Sequence, residues 1–178
     1  MIEIKITDEQ RKRAEELYEF NVLKGSVTKG EGNAVGALGE IIVLDYFGKL
    51  AKYVGDYDYD LIIRDKKVDV KTKKQKMRPA KHHSCNIFAY NTQQKCDWYC
   101  FVFVHQSLNY GWIMGWLTKD EFYKKATFRK GGEADPTLET SWVFKGNCYT
   151  IKVTDLDNYE EEITNEITNE TTNRLKNV

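Results

Sequence analysis

No stretch of this sequence approaches the roughly 18 consecutive apolar residues that a membrane-spanning helix needs, so a soluble protein is expected. Net charge is absent too: 27 basic and 27 acidic residues cancel, and no overall field attracts nucleic acid or an acidic surface. The opening residues, MIEIKITDEQ, lack the apolar core of a secretory leader, and cysteines number only four, so a reduced, cytoplasmic setting is expected. Two of them, Cys96 and Cys100, lie in CDWYCFVFVH, which reads as a strand. At about 3.3 Å per residue their thiols stand roughly 13 Å apart, too far for one zinc ion even with Cys85, His82 and His83 close in sequence. Small buried hydrophobes describe them better.

What is present suits one domain with a real core: 178 residues, 41% of them hydrophobic. The globular part is expected over residues 1–158. From 159 to 178 the text becomes a low-complexity acidic tail, EEITNEITNETTNR, expected as a frayed helical extension or a disordered segment. Charge is distributed unevenly. Nine bases against two acids lie between Arg64 and Lys81, and seven acids with no base lie between Asp155 and Glu170.

Thr7 and Gln10 form a capping-box pattern at the head of a helix in which Ala14, Leu17, Tyr18 and Val22 recur at helical spacing and which ends near Gly25. After a loop, KGSVTKGEGN, a second helix is expected over AVGALGEIIVLDYFG. Glycine costs up to about 1 kcal/mol in a helix relative to alanine, so Gly36 and Gly39 predict a close backbone approach on the side where Glu40 emerges. WYCFVFV reads as a strand buried on both faces, with GWIMGWL as its neighbour. Thr118 and Glu121 cap a short helix, and SWVFKG and CYTIKV read as closing strands. The intervening KKQKMRPAKHHSCN reads as irregular and basic.

Between the second helix and that basic stretch lies YDYDLIIRDKKVDVKTKK, a predicted hairpin turning at Asp65 and Lys66. In that register Ile63 faces Val68 and Asp60 faces Lys71. One face then carries Tyr59, Leu61, Ile63, Val68 and Val70, and the other Asp58, Asp60, Ile62, Asp69, Lys71 and Lys73. The acid-x-Lys tripeptide itself means little: with 27 acids in 178 residues about three matches arise by chance. Three occur, at Glu3, Asp65 and Asp69, and only Asp69-Val70-Lys71 sits on a strand opposite another acid and downstream of a helical glutamate. Clustered carboxylates repel, by about 4 kcal/mol for a pair 4 Å apart at an effective dielectric of 20. Lys71 offsets part of this, and a hard divalent cation such as Mg²⁺ offsets more. Such an ion activates water and stabilises charge on a phosphate, which suits phosphodiester hydrolysis.

These residues resemble the PD-(D/E)xK nuclease superfamily over roughly residues 34 to 104, through GALGEIIVLDYF, YDYDLII, VDVKTKK and WYCFVFV. The resemblance implies an α/β (α+β) restriction-endonuclease-like fold, a central mixed β-sheet flanked by helices. It also implies Mg²⁺-dependent DNA cleavage, with Mn²⁺ as a substitute. Carried over by position, Glu40, Asp60 and Asp69 would be both metal ligands and catalytic acids, with Asp58 the substitute for Asp60, and Lys71 the catalytic lysine. Tyr59 stands where the family signature has proline. Gln93, Gln94 and Tyr99 do not form the glutamine-tyrosine motif of the recombination exonucleases, so endonuclease action is expected. Lys73, Lys74, Lys76, Arg78 and Lys81 are expected to bind DNA phosphates. Nucleases of this fold often work as homodimers, although nothing in the sequence marks an interface. Fold alone does not fix function, and a catalytically silent DNA-binding or assembly subunit is the alternative. The small size and low-complexity text suit a phage protein, which would place it in the host cytoplasm.

Overall fold

The computed structural model describes residues 1–20, 31–135 and 143–157, with the side chains of residues 18–20 and 31–33 left aside. Val22, the helix end at Gly25, residues 24–30 of the expected loop, Ser141 and Trp142 of SWVFKG, and the acidic tail lie outside the described residues. Within them the fold is α+β: a six-stranded mixed sheet, a three-stranded sheet and three α-helices.

Both anticipated capping boxes form. Gln10 N–H donates to Thr7 Oγ1 at 3.2 Å and Thr7 N–H to Gln10 Oε1 at 3.0 Å, opening α1 (Asp8–Phe20). Thr118 and Glu121 do the same for α3 (Lys119–Lys125). The second helix, α2, spans Glu31–Phe47 and so takes in Glu31, Gly32 and Asn33 of the expected loop.

The large sheet has the order β1 (Ile2–Lys5), β7 (Tyr110–Thr118), β6 (Trp98–His105), β4 (Lys66–Gln75), β3 (Leu61–Ile63), β2 (Ala51–Tyr53). Only β4 and β6 run parallel, and the other neighbours are antiparallel. As its unbroken apolar run required, β6 is buried from Tyr99 to Val104 and feeds two cores. Cys100, Val102 and Val104 join α2 residues such as Leu38 and Ile42 on one face. Tyr99, Phe101 and Phe103 join Phe122 of α3 and Ile87 and Ile151 on the other. Those two isoleucines come from β5 (Ser84–Phe88) and β9 (Cys148–Lys152), which with β8 (Thr127–Arg129) make the small sheet, ordered β5-β9-β8. All four cysteines are buried and free, and burial pushes the thiols of Cys85 and Cys96 up to about 12, away from the thiolate that zinc requires.

Several expectations need correction. The basic stretch is less irregular than it reads: its first lysines extend β4 to Gln75, and its end enters β5. The short strands β1, β2 and β8 carry too little apolar text to stand out, and of SWVFKG only an isolated bridge, Val143 to Ala134, is described. The hairpin register is shifted by two residues: Ile63 pairs with Lys66 and Leu61 with Val68. The turn falls at Arg64 and Asp65, where Arg64 adopts φ 57° and its N–H donates to Leu50 O at 2.7 Å. A shift of two leaves every side chain on its original face, so Leu61, Ile63, Val68 and Val70 share the helix-side core as expected. Tyr59 does not share it. The chain leaves strand geometry before Leu61, and the Tyr59 ring packs against the opposite core.

Candidate active site

Helix α2 approaches β4 closely because Gly39 has no side chain. A Cβ placed there would lie 2.0 Å from Thr72 Oγ1. The Thr72 hydroxyl points at the helix backbone, 3.5 Å from Gly36 O. Gly36 itself has open space where a Cβ would stand, so the close approach predicted for both glycines belongs to Gly39 alone. The next residue, Glu40, is thereby held within electrostatic reach of Asp69 and Lys71 on β4, and it hydrogen-bonds the Tyr53 side chain.

Asp69 is buried, 3% exposed, on the face of β4 that carries Lys71. The Lys71 ammonium lies 2.6 Å from Asp69 Oδ2. That carboxylate oxygen is buried and accepts no well-directed hydrogen bond, so the contact is an ion pair that leaves lone pairs unused. Asp60 arrives from the head of β3. The observed register sets it level with Asp69 instead of Lys71, and its Oδ2 accepts the Val70 N–H at 2.7 Å. Asp58 turns elsewhere: it accepts the Lys95 N–H at 3.2 Å and lies 3.8 Å from the Lys95 ammonium. Of the two strand-head acids, Asp60 is therefore the one brought to Asp69 and Lys71.

The charges perturb one another. Burial, reinforced by Asp69 and opposed by Tyr53 and Lys71, raises the Glu40 carboxyl to about 7. Burial and then the charges of Glu40 and Asp69 push Asp60 well above the usual carboxylate range, against Lys71 and the Val70 N–H. For Lys71, burial alone would favour the neutral amine, but Asp69 and Asp60 outweigh it and the pKa rises. The cluster is thus short of positive charge even with its lysine fully protonated.

One member, Gln94, enters the sequence reading only as failing to form an exonuclease motif and is not expected at the site. Gln94, 7% exposed, donates through Nε2 to Asp69 Oδ1 at 3.3 Å and to Tyr57 O at 2.8 Å, while its Oε1 accepts from Lys71 Nζ at 3.1 Å. It clamps the acid and the lysine together. Its own carbonyl accepts from Lys119 at the start of α3, which anchors the loop.

The oxygen donors of Glu40, Asp60 and Asp69 suit a hard divalent cation, and three buried acids answered by one lysine leave a charge deficit that fits one as well. Among the described residues, no three acidic, histidine or cysteine side chains stand ready-made at metal-ligand spacing. The carboxylates would have to close on the ion.

The five basic residues expected on DNA stand in different settings. Lys74, Lys76 and Lys81 are exposed, and Arg78 is held 3.3 Å from Glu3 in an exposed ion pair. Lys73 folds inward, donating to Ser84 O at 3.2 Å over the Phe103 ring. No protein-family model matches the chain, and no curated protein matches it. No helix among the described residues is long and apolar enough to cross a membrane.

Proposed function

We propose that the protein is a Mg²⁺-dependent DNA endonuclease of the PD-(D/E)xK type. The observation that carries this reading is the convergence of Asp60 and Glu40, from separate elements, on a buried Asp69–Lys71 ion pair. A structural salt bridge needs one acid. Three acids crowded around one lysine cost stability, and such a cost is characteristic of a site kept for chemistry.

Glu40, Asp60 and Asp69 would hold the metal, which when bound lowers the pKa of a water and stabilises negative charge on the phosphate. Lys71 stays protonated, so it serves as a fixed positive charge for a non-bridging phosphate oxygen or as a donor that orients the attacking water, not as a base. Asp69 and Gln94 hold its ammonium on either side and restrict its motion. The water oxygen bonds to phosphorus as the P–O bond to the leaving strand breaks; the water's proton passes to solvent and the leaving oxygen takes one from solvent, giving a phosphate end and a hydroxyl end. Asp60, by accepting the Val70 N–H, ties its carboxylate to the backbone of the strand that presents Asp69 and Lys71.

Incubating supercoiled DNA with the protein and Mg²⁺, Mn²⁺ or EDTA tests this directly. Nicking that requires the divalent ion, and is lost in Lys71→Ala and Asp69→Asn, is expected. Equal nicking in EDTA, or variants as active as the parent, would sink the mechanism. Salt-sensitive binding without cleavage would leave a non-catalytic DNA-binding protein.

A further inference from the structure

Strand β4 is flanked unequally. On the β6 side it is paired from Val68 to Gln75, while on the β3 side pairing stops at Val68. Asp60 takes the Val70 N–H, and beyond it no described strand pairs with that edge. A cavity of about 500 Å³ follows the free edge, between Val35 of α2 and the small sheet, and Lys71 is among its lining residues. Its volume is that of a site for a nucleotide-sized ligand.

The lining is one-sided in charge. Lys71, Lys73, Lys74 and Lys145 face the cavity, and among the described residues no carboxylate lines it. Lys73 is the informative one: its ammonium is folded inward, held by the Ser84 carbonyl and the Phe103 ring, with Asp135 acting on it as a charge but forming no close ion pair. Burial lowers its pKa and outweighs the opposing charges of Cys85 and Asp135, so an anion seated beside it would offset a desolvation cost that those groups leave in place. Aromatic rings complete the setting. Phe101 and Phe103 lie along the cavity, and Phe88 at its wall stacks on Tyr90 with centroids 5.6 Å apart and planes within 7°. Tyr90, 54% exposed, extends this aromatic pair from the wall of the cavity to the surface beside it. Lysines that track a phosphate backbone, together with an open aromatic face, are the elements by which proteins hold unpaired bases. A peptide strand added to the free edge would gain nothing from four lysines.

We propose that this cleft seats one unpaired nucleotide of the DNA strand being cut, so that the preferred substrates carry a single-stranded position beside the scissile phosphate. The assignment of the scissile phosphate rests on the nuclease reading of Glu40, Asp60, Asp69 and Lys71. The seat itself rests on the cleft. Because Lys71 belongs to both, a nucleotide held there leads its phosphate directly to the acids.

The test uses the full chain and two 2-aminopurine-labelled duplexes, identical except that in one the labelled base faces a one-nucleotide gap. Affinity and fluorescence are measured in EDTA, and cleavage of the same duplexes in Mg²⁺. The gapped duplex is expected to bind about tenfold more tightly, with quenching of the 2-aminopurine as it stacks. Tyr90→Ala and Lys145→Ala, both at exposed positions and checked for folding by circular dichroism, should each erase most of that preference. Equal affinity for the two duplexes with unchanged fluorescence overturns the inference, and if both are still cut in Mg²⁺ the nuclease reading survives alone. Preference and quenching without cleavage in Mg²⁺ support the seat and overturn the nuclease reading. A preference that persists in both variants overturns the cleft as its source.

Discussion

Lys71 and Lys76 are five residues apart, yet they occupy opposite physical situations. Lys71 is partly buried, pinned between Asp69 and Gln94, and its charge is answered by carboxylates from two other elements. Lys76 is exposed, and its surroundings are water. The contrast shows that local charge density says little about role. What matters is whether the fold takes a charge out of water and supplies it with partners. Replacing each in turn gives the largest difference expected. Lys71→Ala should reduce Mg²⁺-dependent nicking by about 10²–10³-fold, the usual cost of removing one preorganised charge at a reacting phosphate. Lys76→Ala should stay within a few-fold. Lys71→Arg should not restore the rate, because a planar guanidinium cannot occupy the point between Asp69 and Gln94. Similar rates for Lys71→Ala and Lys76→Ala would erase the distinction.

The same contrast explains which parts of the site the sequence could disclose. Alternation of apolar and charged residues revealed the faces of the hairpin, because face depends on parity alone. Register was not legible, since a shift of two leaves both faces intact, and the decision fell to Arg64 adopting positive φ against Leu50 O. Asp58 and Asp60 look equivalent in text. They are separated by a loop contact with Lys95, whose arrival depends on the parallel pairing of β4 and β6 some thirty residues downstream. Gln94 was hidden for the same reason: it comes from the crossover, where no periodicity announces a side chain's direction. The helix–strand approach was half legible, as a run of glycines near Glu40 in which only one is needed.

That last point gives the next largest effect. Gly39→Ala sets a methyl 2.0 Å from Thr72 Oγ1, and overpacking of this kind costs about 1–3 kcal/mol. Gly36→Ala meets nothing and should stabilise by up to about 1 kcal/mol through helix propensity. Urea unfolding of the two variants should therefore move in opposite directions. Combining Gly39→Ala with Thr72→Ala should recover much of the loss, which a simple propensity effect could not do.

The carboxylates allow the buried side of the comparison to be titrated. Without metal, native Glu40 holds its proton up to about pH 7, whereas the ordinary carboxyl value is 4.5. The native state therefore binds more protons than the unfolded chain between those values, and stability falls as pH rises from about 4.5 through 7. Glu40→Gln removes this penalty. In EDTA it should stabilise the protein at pH 8 by about 2 kcal/mol, with the gain fading to nothing near pH 4. Mg²⁺ should stabilise the parent at pH 8 more than the variant, because the ion supplies the positive charge the acids lack. A pH-independent gain would mean that Glu40 is not charged at the expense of folding.

The smallest effect lies on the exposed side. Each phosphate contact releases counterions and contributes about 0.7–0.9 to the slope of log affinity against log salt. If Lys76 and Lys81 touch DNA, each alanine variant should flatten that slope by about this amount and weaken binding equally on every sequence. Arg78 is already engaged by Glu3, so Arg78→Ala should flatten it less, while Glu3→Gln should free the guanidinium and steepen it. Lys73 should behave unlike all of them. Its ammonium is folded over Phe103, so Lys73→Ala should alter binding of DNA with an unpaired position more than binding of continuous duplex. Uniform losses across the basic residues would mean that they act as one diffuse field. Divergence between Lys73 and Lys76 would extend to neighbouring lysines the same division that separates Lys71 from Lys76.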